Sequence, residues 1–338
     1  MLGGTTKRYA NKRNIVEFDD KEFDYTSLPE TSPEDEPVFH YTKISTIPKI
    51  FPGKGNVKIR LSDIRFLNDP SESKLLQVLL SKNKKRLFEK VQSDQLPFLK
   101  AMITEMGKVE TVHHIQLPCF FLLAFTKCED SLVFWNQEYA GFDGVAIQFN
   151  GYELNKLNKQ EGFQYKPVSY VRPDQLSETE LEQILKEIEP YVSLGTKRTE
   201  GKSKTEMSIS AAIMWMFFYE KYSCLYKHIS WSHEQEKRLI RSIGVSLKEL
   251  KRSNFLTWLS IFSNEEFKEY PKLIELIVPD NKILPCTHLN FEKNVVRKII
   301  LGPKVSYTEI EVIQNYLFRN EYENITVERS KAPVRYKR

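Results

Sequence analysis

The sequence predicts an α+β fold with a central mixed or antiparallel sheet and long helical insertions. Short apolar segments with strand character recur along the whole chain, and the segments between several of them are long, charged and apolar at helical spacing. The strands do not alternate regularly with single helices, as they do in a doubly wound parallel sheet. Only 13 of the 338 residues are glycine, which argues against an enzyme built on a glycine-rich phosphate loop.

In the first half of the chain, apolar runs that end at Pro, Gly or charged residues predict strands at 38–41, 57–61, 119–126, 145–149 and 167–171. A helix is predicted to begin at Thr42 or Ser45. Asp69 followed by Pro70, with Glu72 three residues after Asp69, has the composition of a helix start, and two helices are predicted over about 71–112. Asp130 or Ser131 is predicted to cap a further helix over 131–139.

The second half is predicted to contain helices at 174–195, about 205–228 and 308–319, a mainly helical segment at 246–275, and strands at 236–243, 289–291, 295–301 and 325–328. The helical segments are interpreted as insertions around one sheet. The predicted organisation is therefore a tail at 1–36, a single α+β domain at 37–328 and a basic C-terminal tail at 329–338.

Charge and cysteine content exclude several classes of protein. The net charge of +5 equals the charge of the last ten residues alone, whereas residues 1–36 carry five basic and nine acidic residues, so charge does not predict a general nucleic-acid-binding surface. The four cysteines have no C-x-x-C spacing and are expected to be reduced thiols in a cytoplasmic protein. No apolar run reaches the ~18 residues that a membrane helix needs. The chain has neither a Walker loop nor an H-E-x-x-H motif, and no metal site is predicted.

The first candidate site motif is His40-Tyr41-Thr42, at the end of the opening strand. A histidine in that position can bond the ribose hydroxyls of a ligand, or act as an acid or base near neutral pH. The alternative is a strand-end histidine whose ring bonds the nearby backbone.

The second motif contains Trp135 and Tyr139, which lie four residues apart and would share one face of the predicted helix. Such a pair can form a wall on which a planar heterocycle stacks. The alternative is an ordinary aromatic stripe in the core.

The third motif contains Glu234, Glu236 and Arg238, which would project from one face of a strand. Two carboxylates and a guanidinium are costly to bury unless they are paired, so this face is interpreted as either functional or solvated. The alternative is a surface strand with a Glu–Arg ion pair.

Together the segments FHYT, RLSDIRFLNDPSE, CFFLLAFT, FWNQEYAGFDGVAIQF, WSHEQEKRLI and IILGP resemble a widespread bacterial family that is classified as a domain of unknown function. The resemblance covers about residues 38–336. It implies no activity by itself.

The same order of motifs also resembles, more distantly, the ADP-ribosyltransferases of the histidine–tyrosine–glutamate type. That resemblance implies that NAD is the substrate, that His40 holds ribose hydroxyls, and that Tyr139 stacks on the nicotinamide. It further implies that Glu236 bonds the nicotinamide ribose and stabilises the oxocarbenium-like transition state. Glu234 would match the first acid of the E-x-E motif of the arginine-modifying branch, with Arg238 on the same acceptor side.

Other residues compete for these roles. Tyr41, Thr42 and Trp135 are further candidates for cofactor contacts, Glu138 competes with the site residues, and Thr126 can line the pocket. Asn68, Asp69 and Glu72 are interpreted as a helix cap.

The leading functional hypothesis is an ADP-ribosyltransferase-like enzyme that modifies a protein or a nucleic acid, in the toxin or phage-defence setting that the resemblance implies. One alternative is a non-catalytic module that binds a nucleotide or another partner. A further alternative is a metal-dependent nucleic-acid-processing enzyme that uses His40 and acidic residues.

Overall fold

Strands with the predicted apolar patterns form most of the framework. The computed structural model describes residues 36–66, 74–109, 119–136, 139–160, 162–243, 274–278 and 283–333. These residues all fall in one compact unit of the chain. The predicted helix start at 68–72, residue Glu138, nearly all of the predicted tail at 1–36 and nearly all of the helical segment at 246–275 lie outside the described residues.

The strands of the described residues are β1 (Pro37–Thr42), β2 (Asn56–Asp63), β3 (Cys119–Thr126), β4 (Val145–Asn150), β5 (Phe163–Pro167), β6 (Ser169–Val171), β7 (Tyr226–His228), β8 (Glu236–Ile243), β9 (Glu275–Ile277), β10 (Leu284–Glu292), β11 (Val296–Leu301) and β12 (Thr326–Arg329). One sheet has the order β12-β11-β4-β1-β3-β2-β10-β9, and β8 pairs with both β3 and β5. Its pairs are antiparallel except β11–β12, and β6 and β7 form a separate parallel pair. The predicted α+β class with a mixed, largely antiparallel sheet is confirmed.

The helices of the described residues are α1 (Ile47–Ile50), α2 (Leu75–Lys90), α3 (Leu96–Val109), α4 (Gly151–Asn155), α5 (Glu178–Thr199), α6 (Lys204–Tyr222) and α7 (Tyr307–Arg319). Serine capping boxes begin α5, α6 and α7, because each N-cap serine is followed three residues later by glutamate. Among the described helices, none is both long and apolar enough to cross a bilayer.

The sheet separates the buried apolar side chains into clusters on its two faces. Helices α2, α3, α5 and α6 pack with Phe120, Leu122 and Ile240 on one face, which is called the helical face below. Helices α1, α4 and α7 contribute to the core on the opposite face. A smaller aromatic cluster containing Phe39 and Tyr41 lies on the helical face, further along the sheet.

Strand β3 pairs with β8 along the whole length of one edge, and its other edge, the shared edge, pairs with both β1 and β2. On the shared edge, Thr126 pairs with Phe39 of β1, whereas Leu122 and Phe121 pair with the end of β2. The registered pairs skip residues 123–125, so β1 and β2 leave a gap in this edge, which is called the notch. Unpaired strand edges of this kind expose backbone groups that side chains or ligands can bond.

Two predicted helices differ from the structure. The helix predicted at 131–139 is wrong, since the described part of this segment forms turns, in which the Trp135 indole nitrogen donates to the Asp130 carboxylate at 2.6 Å. The helix predicted to reach residue 228 ends at Tyr222, since Tyr226–His228 instead pairs with β6. Helix α4 was not predicted, and β5 begins four residues before the predicted strand at 167–171.

Candidate functional site

Four buried charged side chains form the centre of the candidate site. Lys227, Glu234, Glu236 and Arg238 are called the carboxylate cluster. The Lys227 ammonium donates to Glu234 Oε2 at 2.5 Å and to Glu236 Oε2 at 3.2 Å. Arg238 binds both oxygens of Glu236, from Nε at 2.7 Å and from Nη2 at 3.0 Å. The two carboxylates are thus held by two cations, and the four formal charges cancel.

Strand β8 and the turn before it bring these carboxylates together. Glu236 and Arg238 lie on one face of β8, as predicted from strand alternation. Glu234 was predicted to lie in the same strand, but it ends a short 3-10 helix, and Gln235 follows with a left-handed backbone (φ 45°). Such a conformation is unfavourable for a residue with a side chain. Across this turn, Glu234 and Glu236 both bond the Lys227 ammonium.

Burial decides between the two interpretations of this strand. Glu236 is 5% exposed, Glu234 6% and Arg238 1%, so the alternative of a solvated surface ion pair is wrong. Burial alone would raise the pKa of Glu236, but the positive charges of Arg238 and Lys227 outweigh it and lower that pKa. Glu236 is therefore ionised at neutral pH, with its orientation fixed by a bidentate guanidinium.

A row of cross-strand neighbours connects the cluster with the opening strand. Glu236 pairs with Thr126 of β3, and Thr126 pairs with Phe39 of β1. Paired residues have side chains on the same face, about 4.5–5.5 Å apart at Cβ. Tyr41, two residues after Phe39, shares this face. Thr126 is buried and its hydroxyl accepts the backbone N–H of Cys128 at 3.1 Å, so it lies between the cluster and β1.

Aromatic side chains continue this row, and Tyr41, Phe134, Trp135 and Tyr139 are called the aromatic wall. The Tyr41 ring stacks on Phe134 with centroids 4.8 Å apart and meets Trp135 edge-on at 4.9 Å. Tyr139 meets Phe134 edge-on at 4.9 Å, and its hydroxyl donates to Glu234 Oε1 at 2.7 Å. The wall and the cluster are therefore joined by a direct hydrogen bond.

Within the wall, Trp135 and Tyr139 have different environments. The prediction that they share a helix face is wrong, because this segment forms turns. Trp135 is fully buried, and the alternative of an aromatic core residue describes it. Tyr139 is only half-buried, so part of its side chain is accessible to solvent.

By strand alternation, the His40 side chain lies on the face of β1 opposite to Phe39 and Tyr41. Its Nδ1 bonds the backbone carbonyl of Ala124 at 3.0 Å, which fills the notch in the shared edge of β3. A carbonyl only accepts, so Nδ1 carries the proton, and Nε2 of the neutral ring is an acceptor. The structure does not bring His40 into the carboxylate cluster. Thr42 follows at the end of β1, paired with Val145 and on the same face as His40.

The stability of the protein is expected to fall as the pH drops below about 6.5, the ordinary pKa of histidine, because burial lowers the pKa of His40. The nearby positive charge of Arg60 lowers it further. The unfolded chain then binds a proton that the folded chain resists, which gives a slope of at most ~1.4 kcal/mol per pH unit. Urea unfolding of the wild type and of His40→Gln between pH 5 and 7.5 measures this. Parallel pH profiles for the two proteins would contradict it.

Three site residues were missed by the sequence reasoning. Lys227 was assigned to the end of a helix, and nothing in its spacing distinguishes it from a surface lysine. Tyr170 accepts the backbone N–H of Glu236 at 2.8 Å, and burial raises its pKa to about 12. The Trp231 ring centroid lies 4.9 Å from the Lys227 ammonium. Only the WSHEQEKR segment carried a signal, since it places Trp231 close to the glutamates.

The described residues contain no group of three or more His, Cys, Asp or Glu side chains arranged to hold a metal ion. The two carboxylates of the cluster are bonded by Lys227 and Arg238.

Residues 135–239 match the model of a family described as a protein of unknown function (DUF2971). The match begins at Trp135 in the aromatic wall and ends one residue after Arg238, so it contains Tyr139 and the whole carboxylate cluster. Comparisons with the curated proteins and with the solved structures returned no match. The predicted resemblance to a domain of unknown function is confirmed for residues 135–239, a part of the predicted range 38–336, and these residues are similar to the DUF2971 family.

Proposed function

We propose that this protein binds NAD beside the carboxylate cluster and transfers its ADP-ribose group to an acceptor. The observation that carries the proposal is the direct connection of Tyr139 to the two glutamates: Tyr139 bonds Glu234, and Lys227 joins Glu234 to Glu236. Tyrosine and glutamate of these motifs are the residues to which the ADP-ribosyltransferase resemblance assigns stacking and charge stabilisation. The toxin or phage-defence setting belongs to the same proposal.

The chemistry requires a fixed negative charge. As the bond between the anomeric carbon and the nicotinamide nitrogen breaks, its electron pair leaves with nicotinamide, and positive charge develops on the ribose. The acceptor then forms a bond to the anomeric carbon and releases its proton to water. Glu236 suits the stabilising role because it is ionised and because Arg238 orients it before the substrate arrives.

The ribose contact that the resemblance assigns to His40 would lie apart from the carboxylate cluster. The Nδ1 of His40 is committed to the Ala124 carbonyl, which leaves Nε2 as an acceptor for a ribose hydroxyl at the notch. By strand alternation His40 lies on the opposite face of the sheet from Tyr139 and the carboxylate cluster, so its Nε2 would serve a different ligand group from the one that Tyr139 and Glu236 hold.

Glu236→Gln is expected to reduce nicotinamide release from NAD by about 10²–10³-fold, since a neutral amide cannot balance the developing charge. Nicotinamide is measured by chromatography, with folding checked by circular dichroism. Glu182→Gln, on the exposed surface of α5, is the matched control and is expected to retain wild-type activity.

Because glutamine leaves the cluster with two cations and one anion, Glu236→Gln can destabilise the fold. Tyr139→Phe keeps the ring and removes only the hydroxyl that donates to Glu234, so it tests the same site with less risk. It is expected to fold and to release nicotinamide more slowly. No nicotinamide release by the wild type, or equal rates in the wild type and a folded Glu236→Gln variant, would overturn the proposal.

A second candidate function, a non-catalytic nucleotide-binding module, has one observation in its favour. Both oxygens of Glu236 are already bonded by Arg238 and Lys227, and this favours a structural role for the carboxylate over direct contact with a reacting ribose. Calorimetry with NAD and a panel of adenine nucleotides, followed by product analysis, separates the two functions. Binding without nicotinamide release would favour the module.

A further inference from the structure

The Lys227 ammonium occupies a position that has the chemistry of a cation-binding site. It lies between the carboxylates of Glu234 and Glu236, and the Trp231 ring covers it at 4.9 Å. The lysine side chain is 7% exposed, and the two carboxylates are 8% and 5% exposed. Two carboxylates and an aromatic face are the groups that hold ammonium and guanidinium ions in proteins. Here the protein supplies the cation itself.

The surroundings of the cluster disfavour a further positive charge. With Arg238 bound to Glu236, the four charges of the cluster already cancel. Lys166 of β5 pairs with Arg238 in register and therefore lies on the same face of the sheet. Burial lowers the pKa of Lys166, and it lowers the pKa of the neighbouring Lys221 to about 8, so these surroundings already disfavour a positive charge. A second cation entering the cluster would meet no excess of negative charge.

We propose that Lys227 is a specificity-determining residue: it makes the site take an uncharged nucleophile as ADP-ribose acceptor and reject cationic acceptors such as an arginine side chain. The inference rests on the proposed function, and it differs from the arginine-modifying activity that an E-x-E motif implies. A guanidinium would have to lose its hydration without gaining a carboxylate of its own, which is unfavourable in a buried site.

The transfer step itself favours the same class of acceptor. A lone pair on an oxygen or nitrogen of the neutral acceptor attacks the anomeric carbon while the bond to nicotinamide breaks, and the proton of the acceptor passes to water. A guanidinium must lose a proton before it attacks. Glu236 is a poor base for that proton, because the positive charges of Arg238 and Lys227 lower its pKa, and the Glu234 carboxylate is already bonded to Lys227.

Calorimetry with agmatine as the guanidinium probe tests the proposal without requiring NAD turnover. Lys227→Met empties the position between the carboxylates, so agmatine is expected to bind this variant at least about tenfold more tightly than the wild type, or ~1.4 kcal/mol. Lys293→Met, at an exposed lysine paired with Glu323, is the control and is expected to behave as the wild type. If Lys227→Met does not fold, Lys227→Gln replaces it, because its amide can still donate to the carboxylates.

Equal agmatine affinity in the wild type and the Lys227 variant, whether strong or undetectable, would overturn the proposal. Formation of ADP-ribosylagmatine by the wild type, detected by mass spectrometry, would overturn it as well. Failure of the proposed function is a different result, since it appears as the absence of nicotinamide release from NAD in the wild type. The calorimetric comparison then still shows whether Lys227 excludes cations from the cluster.

Discussion

Replacement of Arg238 by methionine is expected to lower the free energy of unfolding by about 3–5 kcal/mol, the usual effect of removing one partner from a buried ion pair. Arg238 is 1% exposed and donates twice to Glu236. It also donates to the Cys224 carbonyl at 3.0 Å. Methionine fills a similar volume, so the effect reports the lost charge and hydrogen bonds.

Urea unfolding at neutral pH measures the effect, and Arg297→Met is its control. Arg297 also lies in a strand of the sheet, but it is exposed, so its replacement is expected to change stability by less than about 0.5 kcal/mol. If both variants lost the same small amount of unfolding free energy, the ion pair of Arg238 with Glu236 would not contribute to stability as a buried pair does.

The double variant Arg238→Met/Glu236→Gln sharpens this test. It removes one cation and one anion, and it leaves the balanced pair of Lys227 and Glu234. It is therefore expected to be more stable than the sum of the two single effects predicts, by roughly 0.5–3 kcal/mol of interaction energy. Strict additivity would indicate that Glu236 and Arg238 act independently.

The strands were the most predictable part of the fold. Segments such as β3 and β4 are continuous apolar runs of strand length, and both are buried in the structure, so pattern and environment agree. Helices with a serine cap followed by glutamate were also located, although α5 and α6 begin or end several residues from their predicted bounds. The local sequence predicts the existence of such helices and strands better than it predicts the residues at which they end.

The errors occur where contacts distant in sequence replace local preference. Residues 131–139 have an aromatic pair at helical spacing, but Asp130 binds the Trp135 indole, Ser330 and the backbone N–H of Lys331, and so serves as a tertiary anchor. That use of Asp130 depends on a segment 200 residues later in the chain. No local pattern contains this information.

In the candidate site, some residues were predictable from local rules and others depend on contacts distant in sequence. Glu236 and Arg238 were placed on one face because strand alternation is a local rule. The role of Lys227 depends on β7 lying beside β6, and the position of Glu234 depends on a left-handed residue that is not glycine. The separation of His40 from Tyr41 by the sheet follows from alternation and could have been predicted from the strand assignment alone.

The turn that carries Tyr139 is expected to tolerate no side chain at Gly144. A Cβ there would lie 2.3 Å from the Ala140 carbonyl oxygen and 2.7 Å from the Ala140 carbonyl carbon and Cβ. The clash involves backbone, so a change of rotamer cannot relieve it. Gly144 also donates to the Gly141 carbonyl at 3.0 Å and accepts from the Gly302 N–H at 2.8 Å, which fixes the turn on both sides.

Gly144→Ala is therefore expected to lower the free energy of unfolding by about 1–3 kcal/mol, as overpacking of a tight site does. Because Ala140 has to move, and Tyr139 with it, the bond from the Tyr139 hydroxyl to Glu234 should weaken, and under the proposed function nicotinamide release should fall together with stability. Gly107→Ala is the matched control: no atom lies within 4 Å of its added Cβ, and alanine in helix α3 should stabilise the protein by about 0.5–1 kcal/mol. Thermal and urea unfolding of both variants measure the difference, and a Gly144→Ala protein as stable as the wild type would show that the turn can move without cost.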